Sequence, residues 1–164
     1  MNRRAGGERA AGRELALLAL CHLESYAPAE REQALEVFWD NPPGQGGEDV
    51  GEELARIHGW MADRRARGFG ARLVRAYLDD ARGVDDLIET CSKSWRIARM
   101  DRVDRNILRL VAVELRTVPK TPRAVVLAEA VRLAARYGSE RSASFVNGLA
   151  DTLARSLTRD EPTS

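Results

Sequence analysis

The sequence predicts an all-α protein. Apolar residues recur at helical spacing through most of it, and no short run alternates apolar and polar residues as a half-buried strand would. Residues that start and stop helices also stand where that periodicity begins and ends.

The first element is "GRELALLALCHL", residues 12–23, which is dense in Ala and Leu and contains no β-branched residue. It reads as a helix with Leu15, Leu18 and Cys21 facing inward. A second helix is expected over residues 29–39, ending before "DNPPGQGGEDVG", where prolines and glycines place a loop over residues 40–51. Helical patterns return over residues 52–67 and 71–82 and again from Asp85, with Gly83 as a stop and Asp85 as an N-cap.

The next helix is expected to begin near Trp95. On a helical wheel Ile97, Met100, Val103, Ile107, Val111 and Leu115 form one arc, and Arg102, Arg105, Arg109 and Arg116 lie opposite. Asp104 falls inside the apolar arc, where a charge needs a partner. A cap or internal ion pair and a contact to a second protein both answer that need.

In "TPRAVVLAEAVRLAARYG", Thr121 is expected to cap the helix, Pro122 to lie in its first turn and Gly138 to end it. The last stretch, "YGSERSASFVNGLADTLARSL", holds a conflict. Asn147-Gly148 is a strong hairpin signal, yet Phe145, Leu149, Leu153 and Leu157 recur every four residues. No alternation follows Gly148, so the pair is placed inside a helix. A helix-interior glycine costs about 1 kcal/mol relative to alanine; a close approach of another backbone, or a neighbouring turn held by Asn147, is the expected reason for it, ahead of a direct ligand role.

Charge is unevenly distributed behind a net value of +1. Between Glu24 and Glu53 nine acidic residues face one basic residue, Arg31. Between Lys93 and Arg109 six basic residues face Asp101 and Asp104, and the first thirteen residues carry Arg3, Arg4, Arg9 and Arg13 against Glu8. An anionic partner such as nucleic acid explains this polarity, as does a solvated face.

Length and composition, 164 residues with 44% hydrophobic and 31% charged, suit one soluble domain over residues 1–158, with a flexible basic arm at 1–8 and a disordered tail at 159–164. No apolar run is long enough for a membrane span and no signal sequence is present, so a cytoplasmic protein without membrane contact is expected. Cys21 and Cys91 read as free buried thiols. With only two histidines, no metal-ligand spacing occurs, and no cofactor is expected. "GFGARL" at residues 68–73 lacks the third glycine and the preceding strand of a dinucleotide loop. The adjacent carboxylates Glu52-Glu53, Asp79-Asp80 and Asp85-Asp86 diverge on a helix, so no acid–base pair is read and no enzyme is expected.

"AAGRELALLALCHLE", "VDRNILRLVAVEL", "TPRAVVLAEAVRLAARYG" and "SASFVNGLAD" occur in the order found in the NusB family of transcription antitermination factors, which the sequence resembles in its first helix and its C-terminal part. The FVNG pattern is shared with the N-terminal domain of some RNA cytosine methyltransferases. No methyltransferase pattern follows it here, so a free-standing factor is expected.

The resemblance implies a compact all-α bundle of about seven helices in two packed sub-bundles. It further implies a non-catalytic adaptor that binds boxA-type RNA of nascent ribosomal transcripts together with the ribosomal protein NusE. That pair acts with other Nus factors on RNA polymerase to resist termination. By position, Arg3, Arg4, Arg9 and Arg13 are implied RNA contacts. Tyr137 and Phe145 are suited to stacking on bases, with core packing as the equal alternative, and Arg141 to meeting a phosphate, while Asp104 aligns with the ribosomal-protein contact surface. A divergent helical protein-interaction module without RNA binding, homodimeric or not, is the alternative.

Overall fold

The computed structural model describes residues 3–41 and 51–159, with backbone alone at residues 3–5 and 159. Among them are eight α-helices and no strand: α1 (Arg3–Leu23), α2 (Arg31–Asp40), α3 (Glu52–Ala62), α4 (Arg64–Asp79), α5 (Ala81–Ser92), α6 (Arg102–Thr117), α7 (Arg123–Tyr137) and α8 (Ser142–Arg159). Short 3₁₀ turns occupy Pro28–Glu30 and Ile97–Arg99. The predicted class is therefore found, with eight helices where about seven were expected. The chain divides into two compact units, residues 1–74 and 75–164.

In the first unit, α1 buries Leu15, Ala16, Leu17, Ala19, Leu20 and Leu23, whereas Leu18 and Cys21 are only half-buried. The helix also runs back to Arg3, so residues 3–8, expected as a flexible arm, have a helical backbone. Most of the proline- and glycine-rich loop, residues 42–50, and the tail from 160 lie outside the described residues.

The single helix expected over residues 52–67 is two. Asp63 breaks it with an extended backbone and its Oδ1 accepts the N–H groups of Arg65 (2.8 Å) and Ala66 (3.1 Å), the work of an N-cap for α4. The "GFG" stretch then has a packing role. A Cβ on Gly70 would stand 2.6 Å from the Gly12 carbonyl oxygen, and one on Gly12 would stand 2.7 Å from that of Ala66. The pair of glycines lets the backbones of α1 and α4 touch.

In the second unit α6 packs against α5, α7 and α8. It is therefore buried nearly all round, through Ile107, Leu108, Leu110, Val111, Ala112 and Val113, rather than on one arc. It also starts at Arg102, seven residues after the expected Trp95. Gly83 and Asp85 are corrected likewise, since both lie inside α5. Asp80 precedes that helix, and its carboxylate occupies the space a Cβ on Gly83 would need.

α7 begins one residue later than expected, with Pro122 in the cap position and Thr121 buried before it. Gly138 ends it in an extended conformation, φ −89° and ψ −171°, so no left-handed turn explains that glycine. Space does: a Cβ there would collide with the Ser142 side chain and lie 2.7 Å from the Ala134 carbonyl oxygen. In α8 the buried face is Val146, Leu149, Ala150, Leu153 and Ala154, with Phe145 and Leu157 half-buried on its flank.

Asn147-Gly148 is helical, as the periodicity required, but the reason expected for the glycine fails. Both residues are exposed, and a Cβ on Gly148 would meet nothing within 4 Å.

Candidate nucleic-acid interface

The N-terminal arginines are less available than their sequence position implies. The side chains of Arg3 and Arg4 lie outside the described residues. Arg9 is half-buried, and its guanidinium stands 5.5 Å from the centre of the Phe69 ring. Arg13 also stands 5.5 Å from that ring and is only 4% exposed, so it is committed to the packing of α1 against α4.

The arginines of α6 are also engaged. Arg109 grips Asp85 through both carboxylate oxygens at 2.8 Å, donates to Asn106 Oδ1 at 3.0 Å and covers the Tyr77 ring. The Tyr77 hydroxyl closes the group by donating toward Asp85 at 3.2 Å. Arg105 donates to the Met100 carbonyl, and Arg116 pairs with Asp80 at 3.1 Å. In the stripe predicted opposite an apolar arc, Arg109 and Arg116 thus tie α6 to α5 and the residue before it, and Arg105 ties back to the segment that precedes α6.

Three of the site residues read from the sequence do come together. Asp104, Arg141 and Phe145 line one groove of about 310 Å³ with Trp95, Arg99 and Ser139. The first turn of α6 supplies Asp104, and the start of α8 supplies Phe145 just after Arg141. The turn between α7 and α8 is fixed by the Ser142 hydroxyl, which accepts the Ser139 N–H at 2.9 Å. Tyr137 is half-buried at the end of α7, with the Arg136 guanidinium 5.7 Å from its ring centre, and does not line this groove.

Asp104 is the chemical peculiarity of the groove. It is 5% exposed, and its Oδ1 has no hydrogen-bond partner among the described residues. Burial pushes its carboxyl above the ordinary range, a hydrogen bond from Ser142 opposes that rise, and the charge of Asp101 adds to it. A carboxylate in this state is poised to accept a donor from outside, a cationic one above all. Neither internal reading of Asp104 satisfies its Oδ1.

Sequence reasoning missed Trp95, Arg99 and Ser139. The cluster of basic residues beginning at Lys93 was the available signal, but placing Trp95 within a helix hid the loop that presents it. Among the described residues no group of three or more Cys, His, Asp or Glu could hold a metal, and no helix is long and apolar enough to cross a membrane. Cys21 and Cys91 are half-buried and in no disulfide.

Comparison with known proteins gives a consistent result. The model of the NusB family matches residues 11–155. The transcription antitermination protein NusB of Sorangium cellulosum is 40% identical, with 93% of this chain and 96% of that protein aligned. The Myxococcus xanthus protein of the same name is 40% identical, with coverage of 93% and 99%. Among solved structures, T. maritima NusB superposes with a TM-score of 0.70 at 31% identity over 90% of each chain.

Proposed function

Because the chain belongs to the NusB family of transcription antitermination proteins, we propose that it is a non-catalytic adaptor. It binds single-stranded boxA-type RNA together with the ribosomal protein NusE and delivers the pair to the other Nus factors and RNA polymerase. The observation that carries this reading is the groove in which Asp104, Arg141 and Phe145 converge.

Each residue has a role there. The exposed Arg141 guanidinium meets a phosphate, and the half-buried Phe145 ring offers an edge or face to an unpaired base. The orphan oxygen of Asp104 accepts an arginine or lysine of the protein partner, which relieves a buried unsatisfied acceptor. Arg3, Arg4 and Arg9 on α1 add electrostatic contacts to RNA, whereas buried Arg13 holds α1 in place. Tyr137 contributes at the margin of the turn.

The test is a fluorescence anisotropy titration of labelled boxA-like RNA with the protein and its Phe145→Ala and Arg141→Ala variants. Each substitution is expected to weaken binding about tenfold, within the range for one stacked base or one desolvated phosphate contact. Asp104→Asn should leave RNA affinity unchanged and weaken binding of the ribosomal partner. Binding that is indifferent to both Phe145 and Arg141 removes the groove from the RNA site. The burial of Arg13 favours one other reading, a protein-interaction module without RNA binding, and absence of RNA binding in every condition would select it.

A further inference from the structure

The loop between α5 and α6 is built to hold an indole in solvent. Lys93 follows the last residue of α5 with φ 54° and ψ −41°, a positive φ that side-chain-bearing residues rarely adopt. The Ser94 N–H reaches the Ser92 carbonyl at 2.5 Å across it, the pattern of a strained three-residue turn. Two side chains of α5 then clamp the loop. The Ser92 hydroxyl accepts the Trp95 N–H at 3.1 Å, and Glu89 accepts the Ile97 N–H at 3.0 Å. Met100, 5% exposed, anchors the far end.

What this scaffold presents is Trp95, which is 54% exposed. A single exposed aromatic is ordinary, but the state of its ring is not the state of the other two tryptophans. The Arg67 guanidinium stands 5.9 Å from the Trp39 ring centre, and that of Arg56 stands 4.7 Å from the Trp60 ring centre. Trp95 has no ring or cation contact among the described residues. It forms a shared wall of two concavities: the groove that holds Asp104, and a second of about 530 Å³ lined by Glu89, Lys93, Ser94, Arg96 and Arg99.

The two sides differ in charge. On the second side Lys93, Arg96 and Arg99 are exposed, make no ion pair with any described residue and outnumber the one carboxylate, Glu89, whose Oε1 accepts the Ile97 N–H. The first side shares Arg99 and adds Arg141, but Asp101 and Asp104 also line it, so cations do not outnumber carboxylates there. An anionic strand is therefore favoured on the second side, with the indole as a platform between them. An open aromatic face among unpaired cations is the combination that holds single-stranded nucleic acid without reading its sequence.

The geometry points to the Ser92–Arg99 loop as a further RNA contact: one unpaired base stacks on Trp95, and Lys93, Arg96 and Arg99 neutralise the phosphates beside it. This rests on the RNA-binding reading above and extends it from the groove to a second surface of the same unit. The turn at Lys93 and the two clamps set the backbone at Trp95 before RNA arrives, so only the torsions of the indole itself are ordered on binding.

The test uses the full chain and labelled boxA-like RNA. Trp95→Ala is expected to weaken binding about tenfold and Trp95→Phe to recover most of the loss, because stacking needs a ring rather than an indole N–H. Replacing Lys93, Arg96 and Arg99 together with alanine should make the slope of log K against log salt less steep by about 2, at about 0.7 per phosphate of a single strand. Thermal unfolding of both Trp95 variants should match the parent, since the ring is exposed. Parent protein that binds RNA while Trp95→Ala binds equally well overturns this contact and leaves the groove reading intact. Trp95→Ala that weakens the ribosomal partner in the absence of RNA but spares RNA assigns the indole to protein and also overturns it. Absence of RNA binding by the parent protein overturns both readings.

Discussion

Replacing Gly148 with alanine should stabilise the protein. The residue lies within α8, away from both ends, where glycine is disfavoured by about 1 kcal/mol because the unfolded chain gains backbone freedom from it. A Cβ at this position meets no atom within 4 Å, so no steric term opposes the gain. The Thr152 hydroxyl that donates to the Gly148 carbonyl at 3.1 Å is undisturbed by a methyl group. The net effect is a gain of about 0.5–1 kcal/mol. For a chain of this size that raises the midpoint of thermal unfolding by about 1–4 °C, and with a urea dependence near 2 kcal/mol/M it moves the urea midpoint by up to about 0.5 M. Circular dichroism at the helical band reads both.

Gly138→Ala is the internal contrast, because there the added Cβ meets Ser142 and the Ala134 carbonyl and should cost about 1–3 kcal/mol. A fall in stability for Gly148→Ala, or the same sign for both variants, would refute the reasoning. A stabilised Gly148→Ala protein that binds its partners more weakly would show that the glycine is kept for docking at this exposed turn of α8.

Two other substitutions probe the second unit. Arg109→Ala strips a partly buried carboxylate of its two-pronged partner and should cost about 2 kcal/mol in urea unfolding, with Arg109→Lys recovering only part because an ammonium cannot span both oxygens. Asp104→Asn should stabilise the free protein by about 1 kcal/mol at neutral pH. The sign follows from the raised carboxyl: below the ordinary carboxylate range both folded and unfolded forms are protonated and no penalty exists. As pH rises through that range the unfolded chain ionises first, and stability falls until the folded group ionises as well. The advantage of the asparagine variant should therefore shrink toward zero on acidification, and an advantage independent of pH would contradict the assignment.

What the sequence made legible follows the range of the interaction concerned. The helical class, the end of α7 at Gly138 and the helical state of Asn147-Gly148 depend on local spacing, and all are found. The break at Asp63 was not seen because residues 52–67 keep a helical pattern on both sides of it. Asp85 was misread because its neighbours resemble a helix start, while its real partner, Arg109, is 24 residues away. The arginines of α6 looked like a free basic face for the same reason: a helix packed against three others keeps only a narrow exposed edge, where Arg102 and Arg116 lie, and enclosure is a tertiary property. Asp104 stood out because a charge within an apolar arc demands a partner. Trp95 did not, because a γ-turn centred on a lysine leaves no residue signature.

On the proposed function this chain binds RNA through charge and stacking and does so better with NusE. The most direct measurement is the affinity of boxA-like RNA at two salt concentrations, with and without NusE. With Arg3, Arg4, Arg9 and Arg141 each neutralising one phosphate, log K should fall against log salt with a slope near −3, steeper by about 2 if the Trp95 loop also engages, and the partner should tighten binding at both concentrations. A slope near zero, or RNA binding that the partner leaves unchanged, would contradict the account.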